Sequence, residues 1–231
     1  MKFGISQSFD CSYLSGEQET LLVYAEETGH SFHYEMLMAA GFRRSGSQLY
    51  RPHCAHCHAC QAIRVPVSDF APSKSQKRIL KRNNDIKVVL SEENKPHYYG
   101  LYKQYINTRH QDGSMYPATP DQYASFADGG WLKPLFIELH LDGELVGIAV
   151  TDSLEKALSA VYTFFEPSLA HRSLGTFAVL QQIAIARRLS KAHLYLGYQI
   201  DNSQKMSYKR NFLPHERFIE QKWQLILKKD W

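Results

Sequence analysis

Two groups of residues in this chain have the types and spacing that chemistry needs. Cys54, Cys57 and Cys60 are separated by two-residue spacers, and Cys11 is the remaining cysteine. Such spacers let thiolates converge on one ion, so the set suits tetrahedral zinc, and successive spacings of this kind equally suit an iron–sulfur cluster. His53, His56 and His58 are substitute ligands. The second Cys-x-x-Cys pair usual in a zinc ribbon is missing, and the alternative is a tight loop packed by reduced thiols without metal. The other group is Arg172-Ser173-Leu174-Gly175-Thr176-Phe177, which opens a helix whose apolar residues from Leu174 to Leu189 occupy nearly every face. A buried helix of that kind presents only its first turn to a ligand. Unpaired amides, the positive end of the dipole, a glycine and an adjacent arginine there form an anion cradle. The competing reading is a capped core helix whose arginine faces solvent.

A third feature concerns charge alone. Ser73-Lys-Ser-Gln76 reads as a capping box that starts a helix. Along that helix Lys74, Lys77, Arg78, Lys81 and Arg82 fall on one face, with no acid among them, before Asn83, Asn84 and Asp85 end it. A stripe of this kind tracks phosphates and contributes salt-sensitive, backbone-type binding; the plainer reading is a solvated surface helix.

The elements that must position these groups follow from periodicity. An irregular N-terminal stretch, a helix around His33–Ala40 and a short strand punctuated by Gly41, Gly46 and Pro52 come first, with Arg43 and Arg44 as exposed candidates. Strands are expected at Ala62–Val67 and Ile86–Leu90, and helices at Pro96–Asn107 and Asp121–Asp128. Leu135–Leu141 and Glu144–Thr151 flank Asp142-Gly143, a strong hairpin signal. Leu158–Phe165, the buried helix, His193–Tyr198, a helix at Ser203–Asn211 and a strand at Arg217–Leu227 complete the chain. The order describes an α/β (α+β) fold in which an antiparallel sheet gives way to a βαβ unit.

Composition narrows the class. With 231 residues, 44% hydrophobic and 22% charged, the chain is an ordinary globular one. Its net charge of +4 permits a polyanionic partner without requiring one. No secretory signal or membrane-length apolar run is visible, and four cysteines do not make a disulfide framework, so the expected compartment is the cytoplasm and no membrane partner is expected.

The layout of hairpin, strand, Arg172-x-x-Gly175 helix entry and strand resembles the GNAT acyltransferase fold: a mixed sheet with helices on both faces, here with a small N-terminal Cys-containing subdomain. GNAT enzymes hold the pyrophosphate of coenzyme A at that entry. Phe177 stands where their last small residue belongs and is expected to crowd it. The division expected is residues 1–70 for the subdomain and 71–231 for the GNAT-like transferase domain. A more extensive resemblance runs through Cys11-Ser-Tyr-Leu14, Gly41-Phe-Arg-Arg-Ser-Gly46, Tyr50-Arg-Pro-His-Cys54, Arg109-His110, Leu158–Phe165, Arg172–Gly175, Tyr195-Leu-Gly-Tyr198 and Lys205-Met-x-Tyr208-Lys209-x-x-Phe212-x-Pro-x-Glu216. These strings are similar to the bacterial aspartate/glutamate leucyltransferases, relatives of the eukaryotic arginyl-tRNA–protein transferases. Ser114 and Gln199 depart from the family pattern, where an acid and a Trp are common.

The resemblance implies transfer of leucine from leucyl-tRNA to proteins with N-terminal Asp or Glu, marking them for degradation. Aminoacyl-tRNA would be the co-substrate, and the chemistry would require no cofactor. Lys74, Lys77, Arg78, Lys81 and Arg82 would meet tRNA phosphates; Arg172, Ser173 and Gly175 would meet the acceptor end. Arg64, Arg78, Arg109, His110 and Lys209 are the candidates for the acceptor's carboxylate. Tyr208 is the candidate for stabilising the oxyanion, and Asp201 or His110 for a base. Each of these polar residues has an equally simple reading as a hydrogen-bond partner within the fold. The remaining alternatives are an acetyl-CoA-dependent GNAT enzyme and a non-enzymatic zinc-containing RNA-binding module.

Overall fold

The structure is a computed structural model, and it describes residues 1–26 and 30–227. Fourteen strands and five α-helices are described. A small sheet of order β1-β4-β6-β5 is built from β1 (Phe3–Ile5), β4 (Leu21–Tyr24), β5 (Arg43–Ser45) and β6 (Gln48–Pro52). A two-stranded ladder joins β2 (Phe9–Asp10) to β3 (Gln18–Glu19). The stretch expected to be irregular therefore contains short strands. Two to four residues are too few to show a period of two, so only their partners define them.

The large sheet has eight strands in the order β14-β13-β7-β12-β11-β10-β9-β8. These are β7 (Gln61–Pro66), β8 (Lys87–Ser91), β9 (Leu135–Leu141), β10 (Glu144–Ser153), β11 (Ala157–Phe165), β12 (His193–Gln199), β13 (His215–Ile219) and β14 (Lys222–Ile226). Strand β7 precedes residue 70 yet pairs with β12 and β13, so the main sheet takes strands from both sides of the expected division. Among the described strands only β11 and β12 run parallel, as the βαβ reading requires. At the hairpin, Asp142 (φ 52°) and Gly143 (φ 89°) both adopt the left-handed conformation of a tight primed turn. The expected final strand is instead a hairpin, with Glu220 and Gln221 at its turn in positive φ, a break that neither residue type announces. The expected helix over Ser203–Asn211 is shorter, a 3-10 segment at Ser207–Asn211.

Helices α1 (His30–Ala39), α2 (Lys74–Arg82), α3 (Tyr98–Arg109), α4 (Pro120–Ala127) and α5 (Leu174–Arg188) flank these sheets. Helix α5 buries Leu174, Phe177, Ala178, Val179, Leu180, Ile183 and Ile185. The tyrosines of α3 are a packing face: Tyr98, Tyr102 and Tyr105 are buried, and Tyr102 lies 5.7 Å from Phe164 on β11. Ring pairs of this type add about 0.5–1.5 kcal/mol beyond the area they bury.

The small sheet is fastened to the large one by charge. Arg44, expected to be exposed, is among the most buried side chains of the protein. Its Nε and Nη2 donate to Asp152 Oδ2 and Oδ1 at 2.7 and 2.8 Å, and both side chains are fully buried. Tyr34 adds a hydroxyl donor to Asp152 at 2.7 Å, while Arg44 also caps the carbonyls of Gly46 and Phe126. A lone arginine there would not be tolerated; the fork-on-carboxylate geometry makes it possible. Asp152→Ala should therefore lower stability by about 3–5 kcal/mol, by leaving a buried cation unpaired. Replacing Arg44 and Asp152 together by apolar residues should lose less; denaturant midpoints measure both.

A second buried carboxylate makes stability pH-dependent. Glu138 accepts from Lys95 at 2.5 Å, from the Tyr98 hydroxyl and from His140 at 2.7 Å. Burial pushes its pKa up, but these donors outweigh burial and hold it at about 2. Above the unfolded value the group is ionised in both states; as pH falls toward about 2, the unfolded chain takes up a proton that the folded chain resists. Stability should thus fall through this acid range, and Glu138→Gln should flatten that limb in denaturant titrations at successive pH values.

Candidate active site

The site begins where the two parallel strands separate. Strands β11 and β12 pair from Ala157↔His193 to Ser159↔Tyr195, then part, although β11 continues to Phe165 and β12 to Gln199. The cause lies on the other edge of β12. Its register against β7 shifts between Tyr195 and Gly197, and Gly197 has a φ of 80°. A bulge of this kind bends the strand away from its former course.

Arg43, on β5, enters the resulting wedge. Its Nη2 donates to the carbonyl of Val161 at 3.1 Å, and a Cβ added at Gly197 would overlap its Nη1. The guanidinium is thus half-buried, where exposure was expected. Tyr13, Tyr34, Tyr50 and Tyr198 surround it closely enough to interact electrostatically. Lys209 lies nearby and is only 4% exposed; its Nζ donates to Tyr198 O at 2.7 Å and contacts Met206 Sδ at 3.1 Å. Burial drives the Lys209 ammonium well below its ordinary pKa, and Arg43 adds to the effect. The neighbouring Tyr208 is exposed and interacts with Arg43 and Tyr105.

The C-terminal end of α3 supplies the facing rim. The Tyr105 ring lies 4.9 Å from Phe165 and 5.0 Å from His110, and Arg109 sits 5.3 Å over the Phe165 ring. Phe165 in turn lies against Gly175 at the start of α5. Burial, then Arg109 and Lys205, hold the His110 imidazole below its ordinary pKa, which leaves it a neutral proton acceptor near pH 7. A Lys205–Asp112 ion pair at 3.0 Å ties this rim to the segment that carries Tyr208.

Helix α2 runs beside α5 and begins with the expected capping box between Ser73 and Gln76. The buried Gln76 amide also donates to Asn211 O at 3.2 Å, which ties the helix to the Tyr208–Lys209 segment. Lys74, Lys77, Arg78 and Lys81 are exposed, with no ion pair to any described carboxylate. Arg82 donates to His171 O at 2.5 Å. Arg172 grips Asp85 with two nitrogens at 2.8 and 3.0 Å, and the buried Asn83 donates to its carbonyl. Its guanidinium is therefore engaged in bracing α2 against the entry to α5. Ser173 sits at φ 58° and makes no side-chain cap, leaving the first-turn amides of α5 without that partner. Phe177 is buried in the core, its ring directed inward by helical phase.

Other candidates lie in separate arrangements. Arg64 pairs with Glu216 at 2.5 Å, donates to Tyr195 Oη at 3.0 Å and stacks 4.1 Å over Trp223. Asp201 accepts from Arg217 at 2.8 and 3.2 Å and from Gln199 at 2.9 Å. Burial raises the Asp201 pKa, but those donors outweigh it and hold the carboxylate ionised, a poor state for a mobile base. Cys11, Cys54, Cys57 and Cys60 line one cavity of about 630 Å³, as their spacing suggested. Among the described residues, however, no group of three or more Cys, His, Asp or Glu has the geometry to hold a metal ion. Burial, then Glu19 and the other three cysteines, push the Cys60 thiol up to about 12, the behaviour of a protonated thiol. The side chains as arranged do not fit zinc or a cluster.

Tyr105 and Phe165 were not among the site residues expected from sequence, and Arg43 was expected only as an exposed candidate with no role assigned. Arg43 lay within the Gly41–Gly46 string, which is the one signal that could have marked it.

The fold has known counterparts. The C-terminal domain of a putative lysylphosphatidylglycerol synthetase from Agrobacterium fabrum superposes with a TM-score of 0.51 at 14% identity, covering 84% of this chain and 62% of that one. A conserved protein of unknown function from Bacteroides thetaiotaomicron gives 0.50 at 11% identity, covering 79% and 62%. Both place the mixed sheet among GNAT-like folds. Sequence relationships are far stronger. The aspartate/glutamate leucyltransferase of Pseudoalteromonas atlantica is 84% identical over 231 residues, the full length of both chains. That of Aeromonas hydrophila is 51% identical over 227 residues, 98% of this chain and 95% of its own. The arginine-tRNA-protein transferase N-terminal profile matches residues 9–78 and the C-terminal profile residues 97–219. With both parts of the profile matched in order and such identity over the full length, the chain belongs to the arginine-tRNA-protein transferase family.

Proposed function

We propose that the protein takes leucine from leucyl-tRNA and joins it to the α-amino group of proteins whose N-terminal residue is Asp or Glu, marking them for degradation. The observation that carries this reading is full-length identity of 84% to a protein named aspartate/glutamate leucyltransferase. The cytoplasm, where charged tRNA is available, is the proposed compartment. No described helix is long and apolar enough to cross a membrane.

The reaction needs positioning more than acid–base power. The acceptor amine attacks the ester carbonyl carbon, the C–N bond forms as the C–O bond to the terminal ribose breaks, and the amine proton passes to the departing hydroxyl. The ester is already activated, and an α-amino group is partly neutral near pH 7. Holding amine and carbonyl about 3–3.5 Å apart supplies much of the acceleration. In this reading Lys74, Lys77, Arg78 and Lys81 bind tRNA phosphates from outside, while the first turn of α5 at Gly175 faces the acceptor end. Arg82 and Arg172 set the angle between α2 and α5, their hydrogen bonds to His171 O and Asp85 fixing that junction. Tyr208, exposed at the wedge, stabilises the oxyanion; neutral His110 relays the amine proton. Asp201 orients Arg217 instead of acting as base, and no step is routed through the cysteines.

Two outcomes test this reading. Incubation with leucyl-tRNA should label peptides beginning with Asp or Glu and leave an Arg-initiated peptide unlabelled; absence of label on the acidic peptides from folded protein rejects it. Charge reversal at Lys77, Arg78 and Lys81 should weaken tRNA binding and reduce the slope of log K against log salt by roughly two to three. An unchanged slope would remove α2 from the tRNA surface.

A further inference from the structure

Arg43 differs from three other arginines near the sheets that carry an ion pair, while Arg51 on β6 also lacks one and donates to Ala40 O and Gln221 Oε1. Arg44 has Asp152, Arg64 has Glu216 and Arg217 has Asp201. Arg43 has one hydrogen bond, to the neutral carbonyl of Val161, and no described carboxylate within ion-pair distance. The buried Lys209 beside it likewise donates only to a carbonyl and a thioether. Two basic side chains drawn out of water into one wedge, without an acid, form an arrangement that burial penalises. An incoming anion would relieve it.

We propose that Arg43 receives the side-chain carboxylate of the acceptor's N-terminal Asp or Glu, with its guanidinium aimed from the small sheet into the gap between β11 and β12. The inference rests on the transferase reading above and adds the residue that makes the acceptor acidic. Its geometry suits the role. The bulge at Gly197 removes the Cβ that would displace the guanidinium, and Val161 O holds one nitrogen, leaving other donors of the fork to meet a carboxylate. Tyr13, Tyr50 and Tyr198 lie close enough to the guanidinium to interact with it electrostatically, whereas the exposed cationic face suited to a polynucleotide backbone is on α2. The wedge also borders Tyr208 and, through Tyr105, Arg109 and His110. In this proposal a carboxylate bound at Arg43 brings the acceptor next to Tyr208, the group assigned above to the oxyanion. Of the cations considered from sequence, Arg64 is occupied by Glu216 and Arg78 faces outward on α2. Lys209 then acts through Tyr198 O and Met206, as a positioning residue beneath Arg43.

The test compares kcat/KM for two peptides that differ only in an N-terminal Asp or Asn, with leucyl-tRNA as donor, in the wild-type protein and in Arg43→Gln. The Asp-over-Asn ratio should fall at least tenfold in the variant, equivalent to about 1.4 kcal/mol, while leucyl-tRNA affinity stays within about twofold. Arg43→Lys, which keeps the cation and loses the fork, should give an intermediate ratio and serves if the glutamine variant fails to fold. An unchanged ratio in a folded variant, whatever its overall activity, overturns the assignment and leaves Arg43 a brace of the wedge. Weakened tRNA affinity with an unchanged ratio overturns it in favour of a nucleic-acid contact. Wild-type protein that transfers leucine to neither peptide overturns the transferase reading, and this inference with it.

Discussion

The ion pair of Arg44 with Asp152 is the contact on which the site depends. A strand of three residues, β5, has little stability of its own. It is held because its arginine finds a carboxylate on strand β10 of the large sheet, with Tyr34 and two backbone carbonyls completing the shell. Asp152, buried among apolar residues, is equally dependent on Arg44. Fixing Arg44 fixes its neighbour. Successive residues of a strand point to opposite faces, so anchoring one directs the other toward the wedge. The Tyr198 hydroxyl, 3.1 Å from the carbonyls of both Gly41 and Tyr50, holds the same layer from the β12 side.

The GNAT-like sheet is used here in a particular way. Its parallel strands part, as the bulge at Gly197 demands, and the gap is furnished from outside the sheet: Arg43 from the small N-terminal layer, and Lys209 from the segment after β12. The N-terminal layer is thus part of the wall of the site. The entry to α5 is similarly shared, since Arg82, Asn83 and Asp85 at the end of α2 engage His171 and Arg172. The exposed cationic face of α2 and the wedge are consequently held in a fixed relation. The proposed binding of tRNA on the first and of an acidic side chain in the second would rely on that relation.

Much of the scaffold was legible from residue patterns. The hairpin at Asp142-Gly143, the capping box at Ser73 and the apolar helix after Arg172 are local signals, set by backbone conformation and helical or strand periodicity, and each appears where expected. The terminal hairpin was harder to read, because its turn uses Glu220 and Gln221 in a conformation that their side chains do not favour. The cysteines do gather along one cavity, yet spacing alone did not determine whether their sulfurs converge on a point.

The sequence by itself determined the family, the order of the elements and the basic stripe of α2, because these are properties of short strings and of spacing along one helix. Which cations are available to a ligand was decided by tertiary structure. Arg43 and Arg44 are adjacent and chemically identical, but one is neutralised by Asp152, 108 residues away, and the other is not. Arg64 and Arg172 lose their freedom to Glu216 and Asp85 in the same manner. Whether an arginine is a brace or a receptor depends on the carboxylate that packing brings to it, and that partner is set by long-range contacts that no local pattern records.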